Sequence, residues 1–180
     1  FDERGAGNGW LLPAGPLREP LTAQPPARSV VLYNAAAPTT TWPGSTARRS
    51  LAGAVALADW WRGRPATHEA LQALAGRRVV AVAGTARPQR FFDMLRAAGI
   101  DVAPLALPDH HDYAALPWPA DTADVIVTEK DAVKLDPRRM GTVRIWVAPL
   151  DFALAPALVN EIAALLPPPP ARNDHGQPTA

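Results

Sequence analysis

The chain has 180 residues, 48% of them hydrophobic, and its eighteen basic and seventeen acidic side chains leave a formal charge of +1. That suits a globular chain with a sizeable core and supplies no bulk charge to recruit nucleic acid. Cysteine is absent, which excludes disulfides, a thiolate nucleophile and a cysteine-ligated metal, and no run of about 18 apolar residues is present to span a bilayer as a helix.

Phe1-Asp2-Glu3-Arg4 leads into glycines rather than an apolar segment, so no signal peptide is expected, and the missing initiator Met suggests a chain cut from something longer. Residues 10–20 are punctuated too often by Pro and Gly for a helix or a central strand and read as an extended connector with a tight turn. Residues 28–34, apolar and β-branched, read as a buried strand, and residues 35–50 as loop. Residues 51–61 fit either a strand or a helix. Residues 66–75 form a short helix with Thr67 as N-cap and Gly76 as its stop. The clearest buried strand is 77–83, followed by a turn at Gly84-Thr85-Ala86-Arg87-Pro88. Phe91, Phe92, Leu95 and Ala98 then recur at helical spacing over 89–98, with Pro88 in the first turn and Gly99 as terminator. Further strands are expected at 100–107, 124–128 and 143–148, with a short helical segment at 129–135 and an amphipathic helix at 155–166. Strands and helices alternating at this spacing imply parallel βαβ units. The resulting division is a connector over 1–27, an α/β lobe over 28–166 and a disordered tail over 167–180.

Four stretches could carry chemistry. Leu107-Pro108-Asp109-His110-His111-Asp112-Tyr113 follows a strand, where open α/β sheets bind ligands, and its aspartates could fix an imidazole tautomer or hold it protonated. The plainer alternative is a polar loop in which Asp109 caps a turn. All but two of the basic residues are arginine, and the two lysines, Lys130 and Lys134, share one five-residue window. Their i, i+4 spacing puts them on one helical face, either solvated beside Glu129 and Asp131 or placed where a compact ammonium is wanted. Arg18 and Glu19 lie between Pro16 and Pro20 on a stiffened backbone that could present a guanidinium to phosphate or sugar oxygens. The Gly84 turn could hold an anion near Arg87 but lacks the spacing of a phosphate loop. No Walker A, H-E-x-x-H or G-x-S-x-G motif occurs.

Residues 7–20 (GNGWLLPAGPLREP), 87–92 (RPQRFF), 108–111 (PDHH) and 128–134 (TEKDAVK), four motifs in order, together resemble the tetraacyldisaccharide 4'-kinases of lipid A biosynthesis. The helix opening departs from the family, which more often has Gly-Asn where this chain has Ala86-Arg87. The resemblance implies a three-layer α/β/α lobe with a mostly parallel sheet, the C-terminal part of a P-loop-type kinase. The Walker A loop and aspartate-rich motif belong to the family's N-terminal half. ATP-phosphate and Mg²⁺ ligands are therefore expected outside these residues, no metal ligands on them, and no turnover of ATP by the chain alone. The implied reaction moves the γ-phosphate of ATP to the 4'-hydroxyl of a tetraacyl glucosamine disaccharide 1-phosphate, giving lipid IVA. His110, with Asp109, matches the family histidine thought to assist an N-terminal aspartate in activating that hydroxyl. Arg18, Glu19 and Asn8 match substrate-side residues, while Lys130 and Asp131 match a motif with a nucleotide-side or interlobe role. A lipid substrate implies a peripheral position on the cytoplasmic face of the bacterial inner membrane. Trp42, Trp60 and Trp61 are either aromatic anchors there or packing. The rival reading is a non-catalytic α/β module that binds lipid or a partner, and an in-frame Walker A and aspartate pair encoded upstream of Phe1 would decide against it.

Overall fold

The structure, a computed structural model, describes residues 1–167; the tail expected over 167–180 lies outside them except for Pro167. The chain packs as two units, one made of Phe1–Arg48 with the segment from Phe152 onward, the other of Arg49–Asp151. It passes between them within β3 (Arg48–Leu51) and β9 (Leu150–Ala153).

In the first unit the strand expected over 28–34 shortens to β1 (Leu32–Tyr33), which pairs in parallel with the equally short β2 (Ser45–Thr46). Arg28 has left-handed backbone, φ 58°, which breaks the extended run before it begins. The apolar residues are satisfied by a small cluster instead: Val31, Tyr33 and Ala35 are buried with Trp42 against them. Tyr33 donates from its hydroxyl to the Trp42 carbonyl at 2.7 Å, and Trp42 donates from Nε1 to the Thr22 carbonyl at 2.6 Å. The unit's longest element is the helix α5 (Pro156–Leu165), close to the span expected. β9, which precedes it, was not foreseen.

The second unit is built on β4 (Val55–Ala56), β5 (Arg78–Ala83), β6 (Asp101–Ala106), β7 (Asp124–Val127) and β8 (Arg144–Val147) in the order β4-β8-β7-β5-β6. All neighbours are parallel except β4, which is antiparallel to β8. Residues 51–61 thus hold both of the open alternatives, β4 followed directly by α1 (Leu57–Trp60). β7 lies inside the sheet and all four of its residues are buried, as a parallel strand covered on both faces requires. β6 is the edge strand and tolerates Pro104 there, where its missing N–H breaks no ladder.

Alternation along the strands divides the core. Val79, Ala81, Ala83 and Ile126 face one layer, filled by Phe91, Phe92 and Leu95 of α3 (Pro88–Ala97) and by Leu71 of α2 (His68–Gln72). Val82, Val125, Val127 and Val147 face the other, filled by Leu57, Tyr113, Trp118, Leu135 and Met140. Each large side chain so buried contributes roughly 1.5–3 kcal/mol. The helix ends follow the sequence signals: Thr67 accepts from the Ala70 N–H at 3.1 Å, and Gly99 supplies the positive φ that ends α3.

Candidate functional site

Three chain segments leave the C-terminal ends of β5, β6 and β7 and meet. They are the turn at Gly84, the loop 107–113, and Thr128 leading into α4 (Glu129–Ala132). The Leu107 N–H donates to the Ala83 carbonyl at 3.1 Å, which holds the first two together. Thr128 caps α4, and its hydroxyl in turn donates to Asp131 Oδ2 at 2.7 Å. The same carboxylate oxygen accepts the Gly84 N–H at 3.0 Å. Asp131 is therefore fully buried, turned into the protein to join two strand ends. Of the Lys130–Asp131 pair only Lys130 presents its charge at the surface.

Lys130 Nζ makes an ion pair with Asp109 Oδ1 in the loop 107–113. That hydrogen bond, helped by the positive charge, holds the Asp109 carboxyl below its ordinary range. Asp109 also stands 3.7 Å from His110 Nε2, so one carboxylate faces both the ammonium and the imidazole. The His110 side chain is 84% exposed. Its backbone is left-handed, φ 64°, and Tyr113 in the same loop has φ 56°. Such conformations in bulky residues cost of order 1–3 kcal/mol each and persist where the surroundings enforce them. The second lysine does part of that work, since Lys134 Nζ donates to the His111 carbonyl at 2.8 Å and lies 5.9 Å from the Tyr113 ring centroid.

Below this edge the loop is packed. His111 meets Tyr113 edge to face at 4.9 Å, and Tyr113 is buried. Burial, reinforced by the nearby Asp131 charge, pushes the Tyr113 phenol far above its usual range, so it stays a neutral O–H. Asp131 Oδ1, the Tyr113 hydroxyl and His111 Nε2 are all buried, and the phenol interacts with the Asp131 carboxylate. Gly84, Tyr113 and Thr128 lie in stretches the sequence singled out, but their convergence on Asp131 was not expected. A signal was available for one of them, because Thr128 followed three residues later by an acid is a helix-capping pattern.

Asn8, Arg18 and Glu19 belong to the other unit. Asn8 holds its own loop: Nδ2 donates to the Ala14 carbonyl at 2.9 Å and Oδ1 accepts the Trp10 N–H at 3.1 Å. Gly15 is required beside it, since a Cβ there would lie 2.3 Å from Asn8 Oδ1. Arg18 and Glu19 follow this loop with exposed side chains. The three tryptophans differ: Trp42 is packed as described, Trp60 is partly buried, and Trp61 is half-exposed with Nε1 tied to the Leu135 carbonyl at 3.0 Å. Trp61, Arg62, Val133, Lys134 and Arg138 line a cleft of about 540 Å³ in the second unit. Among the described residues no helix is long and apolar enough to cross a membrane, and no group of three or more His, Asp or Glu could hold a metal ion.

The model of the family described as tetraacyldisaccharide-1-P 4'-kinase matches residues 1–167. A tetraacyldisaccharide 4'-kinase of Methylibium petroleiphilum is 59% identical over 174 residues, covering 93% of this chain and 48% of that protein. One from Leptothrix cholodnii is 56% identical over 171 residues, covering 93% of this chain and 49% of that protein. The chain spans about half the length of the curated relatives it matches. Among solved structures, an "apo" form of LpxK from Aquifex aeolicus in complex with ATP shares the fold, with a TM-score of 0.58 and 19% identity over 92% of this chain and 50% of that one.

Proposed function

The chain belongs to the tetraacyldisaccharide-1-P 4'-kinase family, and from that premise we propose that it serves an ATP-dependent lipid kinase. The reaction is transfer of the γ-phosphate of ATP to the 4'-hydroxyl of a tetraacyl glucosamine disaccharide 1-phosphate, giving lipid IVA. The observation that carries this reading is the Asp109–His110 pair: an exposed imidazole beside a carboxylate, held on a strained loop at the C-terminal ends of a parallel sheet.

Phosphoryl transfer asks the protein chiefly to position groups and neutralise charge. His110 would receive or orient the proton of the attacking hydroxyl, with Asp109 fixing the imidazole. Lys130 stands on the nucleotide side as a point charge, and Arg18 and Glu19 on the substrate side, their loop shaped by Asn8. ATP is a substrate here. Mg²⁺ is not assigned to any described residue, since none forms a fitting ligand group. A lipid acceptor points to peripheral contact with the cytoplasmic face of the bacterial inner membrane, and the exposed Trp10, Leu11 and Leu12 suit such a contact.

The test is His110→Ala in a version of the relatives' full length. We expect kcat to fall by roughly 10²- to 10⁴-fold with a smaller change in the KM for the disaccharide, the usual range for a lost general acid or base. Equal activity of mutant and parent would reduce the Asp109–His110 loop to a solvated turn.

A further inference from the structure

We propose that Asp131 is a positioning residue, the buried hub through which the segment 128–134 holds the loop of Asp109 and His110 in its left-handed conformation. The inference rests on the reading of His110 given above and adds to it the residue that fixes where the imidazole stands.

Asp131 is out of reach of any ligand, being fully buried, yet it is an acid that packing alone would not select. One of its oxygens joins Gly84 of the β5 end to Thr128 of the β7 end, at 3.0 and 2.7 Å. The other is aimed at the third segment. A Cβ on Gly84 would lie 2.8 Å from Asp131 Oδ1 and 3.3 Å from the carbonyl oxygen of Pro108, the residue before Asp109, so glycine is what lets these groups converge. Tyr113, at the other end of the loop, is buried with its phenol interacting with the Asp131 carboxylate. The Asp131 charge is felt at that phenol.

The neighbours of Asp131 grip the same loop at other points. Lys130 pairs with the Asp109 side chain, and Lys134 holds the His111 carbonyl. His110 lies between these two anchors with φ 64°. A residue held in the left-handed region needs its surroundings to over-determine it, and segment 128–134 supplies the constraints. With the carboxylate gone, α4 loses its tie to the β5 end, and Lys130 and Lys134 lose the base from which they act.

The experiment compares Asp131→Ala, Asp131→Asn and Thr128→Val. In the 180-residue chain, nuclear magnetic resonance follows hydrogen exchange at the Gly84 amide and the shifts of the His110 imidazole. In a version of the relatives' full length, kcat and the KM for ATP are measured below the melting temperature. We expect Asp131→Ala to speed exchange at Gly84, move the His110 signals and lower kcat at least tenfold with the KM for ATP within twofold. Asp131→Asn should restore most of kcat, and Thr128→Val, which keeps the volume, should show the same pattern more weakly and serve if Asp131→Ala does not fold. A raised KM for ATP with kcat retained would overturn the proposal in favour of a nucleotide contact. So would faster Gly84 exchange with unmoved His110 signals, since Asp131 would then hold only its own turn. If His110→Ala leaves activity intact while Asp131→Ala still moves the His110 imidazole, the positioning stands and the catalytic reading of His110 fails.

Discussion

The two ends of the central strand β7 each carry a buried aspartate, and they are built in opposite ways. At the N-terminal end both oxygens of Asp124 are saturated. Arg144 donates from Nε at 2.8 Å and from Nη2 at 2.7 Å, Arg77 from Nη2 at 2.6 Å, and Trp146 from Nε1 at 3.1 Å. At the C-terminal end Asp131 accepts through one oxygen from two uncharged donors, the Gly84 N–H and the Thr128 hydroxyl. The first end stitches β7 to β8 and to the residue before β5, with no strained residue involved. The second gathers two left-handed non-glycine residues, His110 and Tyr113, beside an aspartate held by neutral donors. Left-handed backbone in non-glycine residues reduces stability, and in the second unit it lies at the strand ends where open α/β sheets commonly bind ligands.

The largest effect on stability is expected at the saturated end. Asp124→Asn keeps the shape but removes the charge from a carboxylate that is only 4% exposed and faces two arginines. Because both arginines can reach water, the loss should be about 2 to 3 kcal/mol, below that of a fully desolvated pair, and should lower Tm by roughly 5 to 10 °C. A change under 1 °C would mean that the network only decorates the sheet edge. Equivalent loss from Asp131→Asn would erase the contrast between the two ends.

Acid sharpens the same contrast. Hydrogen bonds from Arg144, then that of Trp146 and the charges of Arg77 and Arg144, hold the Asp124 carboxyl below its ordinary range despite burial. A depressed folded-state pKa contributes stability that is fully present above the unfolded value of about 3.9 and is lost as pH falls through the folded one. Thermal melts of the parent should therefore lose a component of Tm below about pH 4 that is missing from Asp124→Asn. Parallel pH profiles for the two proteins would show that the acid response arises elsewhere.

How far the sequence reaches differs between the two ends as well. β5 and β7 were legible because strands covered on both faces read as continuous apolar runs, and α2 and α3 because Thr67, Pro88 and Gly99 punctuate them. Residues 28–34 carry the same apolar run, yet form only a two-residue strand, since a run reports burial and not a pairing partner. The site was legible in position, with Asp109, His110 and Lys130 each just past a strand. Their convergence was not, because the Lys130–Asp109 pair depends on β6 and β7 leaving the same edge of the sheet. Asp131 was read beside two lysines as part of a charged helical face. What buries it is Gly84 and Tyr113, which are distant in sequence, and periodicity carries no information about them.

The smallest expected effects, and the most specific, come from exchanging each lysine for arginine. Both substitutions keep the charge, so any difference reports shape and surroundings. Lys130 is partly exposed and pairs with a partly exposed carboxylate that a guanidinium can also reach, so Lys130→Arg should leave Tm nearly unchanged. Lys134 is held more closely, donating to the His111 carbonyl and lying against the Tyr113 ring. A planar fork cannot reproduce that single short donation, and Lys134→Arg should lower Tm by roughly 2 to 4 °C, the equivalent of about 1 kcal/mol. In a version of the relatives' full length the order should invert for the nucleotide. If Lys130 is a point charge on the nucleotide side, its replacement by a bulkier cation should raise the KM for ATP by roughly three- to tenfold while Lys134→Arg leaves it near the parent value. Opposite rankings in the two measurements would separate the lysine that faces the reaction from the one that holds the loop. The same ranking in both would mean that the two act as one structural face, and Lys130 would lose its nucleotide-side role.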